Sequence, residues 1–228
     1  NPAQVKSATD NLGTFDKSES DIRYSEEKEN SNKRFTYDIS HWNRHGRPDG
    51  ETFTLGMTGD VLQGLGAIES DIFMRSEKIN DILDKHREID IDIIQKIPDI
   101  LNDPVLVLAS KNVARNNRAN SRLVIFGSVK ANNGLPVLVV LDLRPVEKGF
   151  VIRDMQKVNS AYTKESNPTE FVKTSDILYS DKKRTLSLLR SIGFQMPIDQ
   201  QRSGFIGSIS YSDMRVNISG ESFENVFE

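Results

Sequence analysis

Four apolar segments between Asp103 and Val158, separated by turn residues, constrain the fold of this chain more than any other feature. Their lengths suit strands, and the sequence Asn132-Asn133-Gly134 is typical of a tight hairpin, because Asn and Gly tolerate positive φ angles. We interpret the segments as consecutive strands of an antiparallel meander at 104–110, 121–129, 136–143 and 150–158. The sheet is therefore expected to form the centre of the domain.

Helical patterns lie on both sides of the meander. Ser76 and Asp90 are expected to cap two helices that carry isoleucine at helical spacing, and Pro98 predicts a kink or a break in the second. Asp181 is expected to cap a last helix that ends at Gly193. These patterns predict an α+β fold in which N-terminal helices precede a four-stranded antiparallel β-meander and a C-terminal helix follows it.

The composition argues against several classes of protein. None of the 228 residues is cysteine, which excludes disulfides and thiolate chemistry and argues against a structural zinc site. The net charge of −3 means that nucleic-acid binding would depend on a local basic patch. No run of about 18 apolar residues occurs, so no membrane span is predicted. The chain has no Gly-rich phosphate loop and no paired zinc motif, and no cofactor is expected.

The two ends of the chain have little hydrophobic periodicity. Residues 25–50 are charged and polar, and we interpret them as a loose linker with a short candidate strand at Phe35–Ile39. His41 and His45 in this segment could be imagined as a two-histidine metal site, but no helical pattern supports their spacing, so no metal site is predicted. Residues 198–228, rich in Gly and Ser, are expected to form a C-terminal tail.

The start of the chain resembles a known domain. Residues 1–16, followed by Asp21–Ser25, resemble the end of the ADP-ribosyltransferase-like domains found in large polyvalent proteins of phages and mobile elements. The resemblance implies that residues 1–24 are the tail of an upstream domain of the same polypeptide. It implies no transferase activity for the present chain, because residues 1–24 are only the last piece of that fold.

A longer resemblance runs from Phe53 to Pro197. Its words, in order, are FTLGMT, VLQGLG, KH, IP, DPV, VNSAY, LY and LRSIGFQMP. They resemble the phage MuF C-terminal domain, which is grouped with the barnase/EndoU/colicin/RelE-like nucleases. The resemblance implies a nuclease-like domain over residues 51–197, whose fold agrees with the pattern described above. The family often has Lys-His-Gly where this chain has Arg87 after His86, so the turn at that point differs.

The resemblance makes His86 the leading catalytic candidate. A ribonuclease of this class needs no metal, because a base takes the 2′-hydroxyl proton, an acid protonates the leaving 5′-oxygen and cations stabilise the phosphorane. Imidazole suits either proton-transfer role, since its pKa lies near the working pH. The structural alternative is that His86 ends a helix, where the dipole favours a cation.

Three hydroxyl-bearing residues are the other catalytic candidates. Ser160 and Tyr162, two residues apart on extended chain, would face the same side, where they could bind a phosphate oxygen and Tyr162 could stack on a base. Ser110 ends the first strand beside a basic loop. The alternative is that these serines belong to ordinary turns and that Tyr162 lies at the rim of the core.

Two groups of cations are candidates for binding RNA phosphates. They are Lys111, Arg115 and Arg118 in the loop after the first strand, and Lys182, Lys183 and Arg184 at the start of the last helix. Cations at a helix N-terminus oppose the dipole, so the second group requires a partner, either Asp181 or a phosphate. The alternative for the first group is a solvated loop.

Together these features predict a phage- or prophage-associated, toxin-like domain that acts as a metal-independent endoribonuclease. Its expected partners are RNA, including tRNA, and an immunity protein, and its expected location is the bacterial cytoplasm or the phage particle. The main alternative is a catalytically inactive protein-binding module of a phage or mobile-element protein, which the net charge of −3 favours. A DNA-directed nuclease is a third interpretation, but the sequence shows no clear carboxylate cluster to hold its metal.

Overall fold

A computed structural model of the chain describes residues 19–110, 122–147, 150–151 and 155–193. The helices are α1 Glu19–Arg44, α2 Asp60–Gly64, α3 Ser76–Lys85, α4 Ile91–Ile94, α5 Ile97–Asn102, α6 Pro168–Lys173 and α7 Lys182–Ser191. The strands are β1 Thr52–Met57, β2 Asp71–Arg75, β3 Leu106–Ala109, β4 Arg122–Lys130, β5 Pro136–Asp142, β6 Val146–Glu147, β7 Phe150–Val151, β8 Met155–Thr163 and β9 Ile177–Ser180. Of the predicted upstream tail at 1–24, residues 1–18 lie outside the described residues and residues 19–24 begin α1, and the predicted C-terminal tail at 198–228 also lies outside them.

Within the described part of the chain, seven strands form one mixed sheet in the order β1-β2-β8-β5-β4-β3-β9. Strands β2 and β8 pair in parallel, and the other neighbours pair antiparallel. The prediction of a four-stranded antiparallel sheet is therefore wrong, although the α+β class is confirmed. The meander β3-β4-β5-β8 exists, but it is extended by β9 at one edge and by the β1-β2 hairpin at the other, because both short segments carry enough apolar residues to pair.

The last strand of the meander begins later than predicted. We expected it at 150–158, whereas β8 runs from Met155 to Thr163. The preceding residues Phe150 and Val151 instead pair with Val146 and Glu147 in a separate small hairpin. Ser160 and Tyr162 consequently lie within the strand rather than in a turn after it.

Both faces of the central strands are buried, and every residue of β5 is buried. On one face, here called the α1 face, residues such as Val107, Ile125 and Val139 pack in one cluster with α1, α3, α4 and α5. On the opposite face, here called the α7 face, Leu106, Val124 and Leu138 pack with α6 and α7. The α7 face is the one to which Tyr162 belongs.

The prediction of a loose linker at 25–50 is wrong for most of that segment, and Phe35–Ile39 is not a strand. Residues 19–44 form α1, whose Phe35, Ile39 and Trp42 are at most 3% exposed in the main core. Their spacing is the i, i+4, i+7 pattern of an amphipathic helix, but only one large apolar side chain occurs per turn. The Gly and Pro residues that suggested a loop follow only after the helix has ended.

Replacing Ile39 by Ala should test whether α1 belongs to the folded domain. Ile39 is fully buried, so its truncation should reduce the free energy of unfolding by about 2–5 kcal/mol through lost burial and a residual cavity. Tyr37 on the same helix is 63% exposed, and Tyr37→Ala should cost at most about 0.5 kcal/mol. Urea unfolding of both variants measures the difference, and equal effects would show that α1 does not pack on the core.

Candidate active site

His86 lies where helix α3 ends, and its ring contacts strand β8. The His86 amide donates to the Ile82 carbonyl at 2.8 Å, which continues the last helical turn. The imidazole stacks on the phenol ring of Tyr162, with ring centroids 5.3 Å apart and an interplanar angle of 19°. His86 is therefore held at the rim of the sheet by a residue distant in sequence, with 31% of its side chain exposed.

Glu88 brings a carboxylate to the same place. Its Oε1 lies 3.6 Å from His86 Nδ1, close enough for an ion pair when the imidazole is protonated. The same oxygen accepts hydrogen bonds from the amide of Thr163 at 3.3 Å and from its hydroxyl at 3.2 Å. Because β8 holds Glu88 by two donors, the carboxylate has a defined position relative to the ring.

The β4–β5 hairpin completes the support of the site. Asn133 Nδ2 donates to Thr163 Oγ1 at 3.0 Å and to Glu165 Oε1 at 2.9 Å. The backbone amide of Asn132 donates a hydrogen bond to the Glu88 carbonyl at 3.0 Å, and its side-chain Nδ2 donates one to Asp90 Oδ2 at 2.9 Å. The hydrogen bond from Asn132 is the main cause that lowers the pKa of Asp90. The hairpin thus ties the segment after α3 to the end of β8.

The arrangement offers an imidazole, a carboxylate and a phenol within one cluster. Burial raises the pKa of Tyr162, so the phenol keeps its proton at neutral pH and can act as a hydrogen-bond donor. Arg87, next to His86, is exposed, and Lys164 follows Thr163 with its ammonium group 5.6 Å from the Phe171 ring centroid. The cluster therefore places an imidazole between a carboxylate and a hydrogen-bond donor, with two cationic residues adjacent to it in sequence.

The structure brings together some of the predicted catalytic residues. Ser160 and Tyr162 are both half-buried and alternate with the buried residues Ala161 and Thr163, so they share the α7 face of β8 as expected. Ser110 belongs to the other end of the sheet, since Tyr162 aligns through Leu138 and Phe126 with Leu106. Three strand spacings and four residues separate the Cα atoms of Ser110 and Tyr162 by roughly 20 Å.

At that far end, Ser110 belongs to a polar row across four strands. The amide of Ser110 donates to the Arg122 carbonyl, Arg122 pairs with Asp142, and Asp142 pairs with Lys157. The Arg122 guanidinium makes two hydrogen bonds to the buried Asp142 carboxylate, one of them 3.0 Å from Nη2 to Oδ2. The predicted cations Lys111, Arg115 and Arg118 lie outside the described residues.

In the second predicted group of cations, Arg184 contributes to the structure at the start of helix α7. Arg184 donates to Asp181 Oδ2 at 2.8 Å, to Asp103 Oδ2 at 2.5 Å and to the Pro104 carbonyl at 3.4 Å. Asp181 caps the helix as predicted, by accepting from the Arg184 amide. Lys182 and Lys183 are exposed. Of the two partners predicted for this group, Asp181 or a phosphate, Arg184 is paired with Asp181. The Arg184 guanidinium also joins α7 to the loop before β3.

His41 lies on the exposed side of α1 and His45 is the first residue after the helix, with the two ring centroids 4.0 Å apart. Across the described ranges, no group of three or more His, Cys, Asp or Glu side chains lies close enough to hold a metal ion. None of the helices described is both long and apolar enough to cross a membrane.

The sequence did not predict that three residues belong to the cluster: Glu88, Thr163 and Asn133. Glu88 could have been noticed, because it follows His86 by two positions. The sequence predicts Asn133 only as a turn residue, and nothing in it connects Asn133 to Thr163. The meander predicts that β5 pairs with the last strand, but this contact depends on the register of that pairing and on the extension of β8 to Thr163, which no local pattern encodes.

Truncation of Glu88 should destabilise the protein by leaving the amide and hydroxyl of Thr163 short of an acceptor. Thr163 is only 6% exposed, so Glu88→Ala should lower the free energy of unfolding by about 1–3 kcal/mol. Glu165→Ala, which removes one exposed hydrogen bond, should cost at most about 0.5 kcal/mol. Denaturant unfolding compares them, and a Glu88→Ala protein as stable as Glu165→Ala would contradict the arrangement.

The raised pKa of Tyr162 predicts a loss of stability in alkali. The unfolded chain releases the phenol proton of Tyr162 first as the pH rises. The contribution of this group to the free energy of unfolding is therefore complete below about pH 10 and is lost at higher pH. The fall in unfolding free energy between about pH 9 and about pH 11 should be smaller in Tyr162→Phe than in the parent protein. An identical fall in both proteins would show that Tyr162 ionises as readily folded as unfolded.

Comparison with known proteins relates part of the chain to one family. No curated protein and no solved structure matches the chain. Residues 78–187 match the family model described as Phage MuF-C-terminal domain. The predicted resemblance to that domain is confirmed over these residues, whereas the link to the nuclease superfamily and the origin of residues 1–24 stay predictions. The matched segment contains His86, Glu88, the β4–β5 hairpin and Tyr162, and it associates this part of the chain with a phage protein domain.

Proposed function

We propose that residues 51–197 form a toxin-like, metal-independent endoribonuclease domain of a phage or prophage protein. The observation that carries the proposal is the contact of His86 with both Tyr162 and Glu88, at 5.3 Å between ring centroids and 3.6 Å from Nδ1 to Oε1. A titratable imidazole at a solvent-accessible rim, oriented by a carboxylate and by a ring, is what proton transfer at a substrate requires. The match to a phage domain family over residues 78–187 supports the phage association.

The proposed reaction is an attack of the ribose 2′-oxygen on the adjacent phosphorus. His86 takes the 2′-hydroxyl proton while the O2′–P bond forms, and the imidazolium returns the proton to the 5′-oxygen while the P–O5′ bond breaks. Glu88 stabilises the imidazolium between these steps, and the Tyr162 phenol donates a hydrogen bond to a phosphate oxygen. The products are a 2′,3′-cyclic phosphate and a 5′-hydroxyl.

The negative charge of the phosphate has to be neutralised by cations near His86. Arg87 and Lys164 flank the cluster in sequence, so we assign them this role. Lys182 and Lys183 remain candidates for contacts with more distant phosphates, and Ser160 remains a candidate on the same strand face as Tyr162. Ser110, at the far end of the sheet, would contact RNA well away from the reacting bond.

A catalytically inactive protein-binding module is the second candidate function. The observation that favours it is the number of carboxylates near His86, since Glu88, Asp90 and Glu165 all join its hydrogen-bond network and would repel a phosphate. An acidic surface suits a basic protein partner better than RNA. Under the ribonuclease proposal, we expect RNA, including tRNA, as the substrate, an immunity protein as the inhibitor, and the bacterial cytoplasm or the phage particle as the location.

The decisive experiment is cleavage of a mixed RNA pool containing tRNA, by the whole chain, in EDTA. His86→Ala should lower the cleavage rate by about 10²- to 10⁴-fold, because it removes the proton-transfer group. The chain has three histidines, and His41→Ala, on the exposed side of α1, is the matched control that should retain full activity. The products of the parent protein should carry 2′,3′-cyclic phosphate ends.

Two results would contradict the ribonuclease. Folded parent protein that leaves the RNA pool intact would favour the binding module, and a search for its protein partner would follow. Cleavage that survives in His86→Ala would show that the reacting groups lie elsewhere in the chain.

A further inference from the structure

A cavity of about 180 Å³ lies between helix α7 and the end of the β4–β5 hairpin. Pro136 and Leu188 contribute apolar side chains to its lining, and Ser128 and Ser187 contribute hydroxyl groups. Pockets that take drug-sized ligands measure roughly 300–1,000 Å³, so this one suits a single small group. A lining that combines apolar side chains with hydroxyl groups suits a nucleobase, which has apolar faces and polar edges.

One cation borders this cavity without a neutralising partner. Lys130 is exposed and lines the cavity, and its ammonium group makes no ion pair with any carboxylate in the described part of the chain. Arg184 also borders the cavity, but Asp103 and Asp181 hold its guanidinium, so we assign Arg184 to the wall. The unneutralised charge of Lys130 therefore favours an anionic ligand such as a phosphate.

The cavity lies on the same side of the sheet as the ring that contacts His86. Its Leu188 wall belongs to the α7 face, to which Tyr162 also belongs. Pro136 is two residues from Leu138, the cross-strand partner of Tyr162, and Lys130 pairs with Pro136. One strand spacing and two residues place the Cα atoms of Pro136 and Tyr162 roughly 8 Å apart. Neighbouring units of one extended ligand could therefore occupy both places.

We propose that this cavity is a nucleotide subsite, in which one base of a single-stranded RNA enters between α7 and the β4–β5 hairpin and Lys130 binds its phosphate. The assignment rests on the proposed ribonuclease function, and it extends that function by locating where a nucleotide next to the reacting bond is held. The hydroxyls of Ser128 and Ser187 would give the subsite a preference among bases, whereas the Ser191 hydroxyl donates to the Leu188 carbonyl at 2.7 Å.

The test uses the whole chain and four small probes, the 3′-monophosphates of adenosine, guanosine, cytidine and uridine, with inorganic phosphate for comparison. Calorimetric titration should show saturable binding of at least one nucleotide, and tighter binding of that nucleotide than of phosphate. Amide chemical shifts should change at residues 127–130 and 187–191. Failure of all four nucleotides to bind, or equal affinity for phosphate, would overturn the subsite.

Three variants distinguish binding in the cavity from attraction by the overall charge of the protein. Ser187 is exposed on α7, and Ser187→Trp should fill the cavity and weaken nucleotide binding by about tenfold or more. Lys130→Gln should weaken binding by about tenfold, the effect of one hydrogen bond to a charged group. Arg190→Trp, on the same helix but not among the residues that line the cavity, removes an exposed cation as well and should still bind within about twofold of the parent protein.

Binding and cleavage report separately on the two proposals. Nucleotide binding that Ser187→Trp abolishes, in a protein that cleaves no RNA, would keep the subsite and end the ribonuclease proposal. RNA cleavage that depends on His86, with both nucleotide affinity and KM unchanged in Ser187→Trp, would keep the ribonuclease and overturn the subsite.

Discussion

Burial of the central strands on both faces is the constraint on which the rest of this structure depends. Strand β5 is buried along its whole length, so its backbone must be paired on both edges and its side chains covered on both sides. Helices α1, α3, α4 and α5 cover one face, and α6 and α7 cover the other. Polar chemistry is thereby confined to the ends of the strands and to β8, whose α7 face is only half covered. The His86 cluster lies at such an end, and the ion pair of Arg122 with Asp142 lies at the opposite one.

The candidate site is held in place mainly by hydrogen bonds from the turn of the β4–β5 hairpin to the chain segments around it. Asn132 and Asn133 connect the hairpin to Glu88, Asp90 and Thr163, so three chain segments are fixed relative to one another. Under the proposed ribonuclease function such preorganisation would matter, because a group that need not move loses nothing when charge develops.

The sequence contains the local part of this structure and little of the long-range part. The Asp90 and Asp181 caps, the break at Pro98 and the Gly134 turn follow from side-chain and backbone chemistry that acts over a few residues, and all four are present. The parallel pairing of β2 with β8 could not be predicted, because it joins segments that share no local signal. Helix α1 was missed since its buried stripe is only one residue wide. His86 and Tyr162 were both selected, but their contact, and the part of Glu88 in it, required the tertiary structure.

The parallel pairing of β2 with β8 also determines when the domain can fold during synthesis. Residues of β1 and β2, and of the helices that follow, leave the ribosome long before β8, so the mixed sheet stays incomplete until the whole meander has been made. His86 emerges early, while Tyr162 and Thr163 emerge near the end of the sheet. A nascent chain therefore carries its imidazole without the partners that position it. Under the proposed ribonuclease function, this order would keep the site incomplete while the nascent chain is still close to the translating ribosome and its tRNAs.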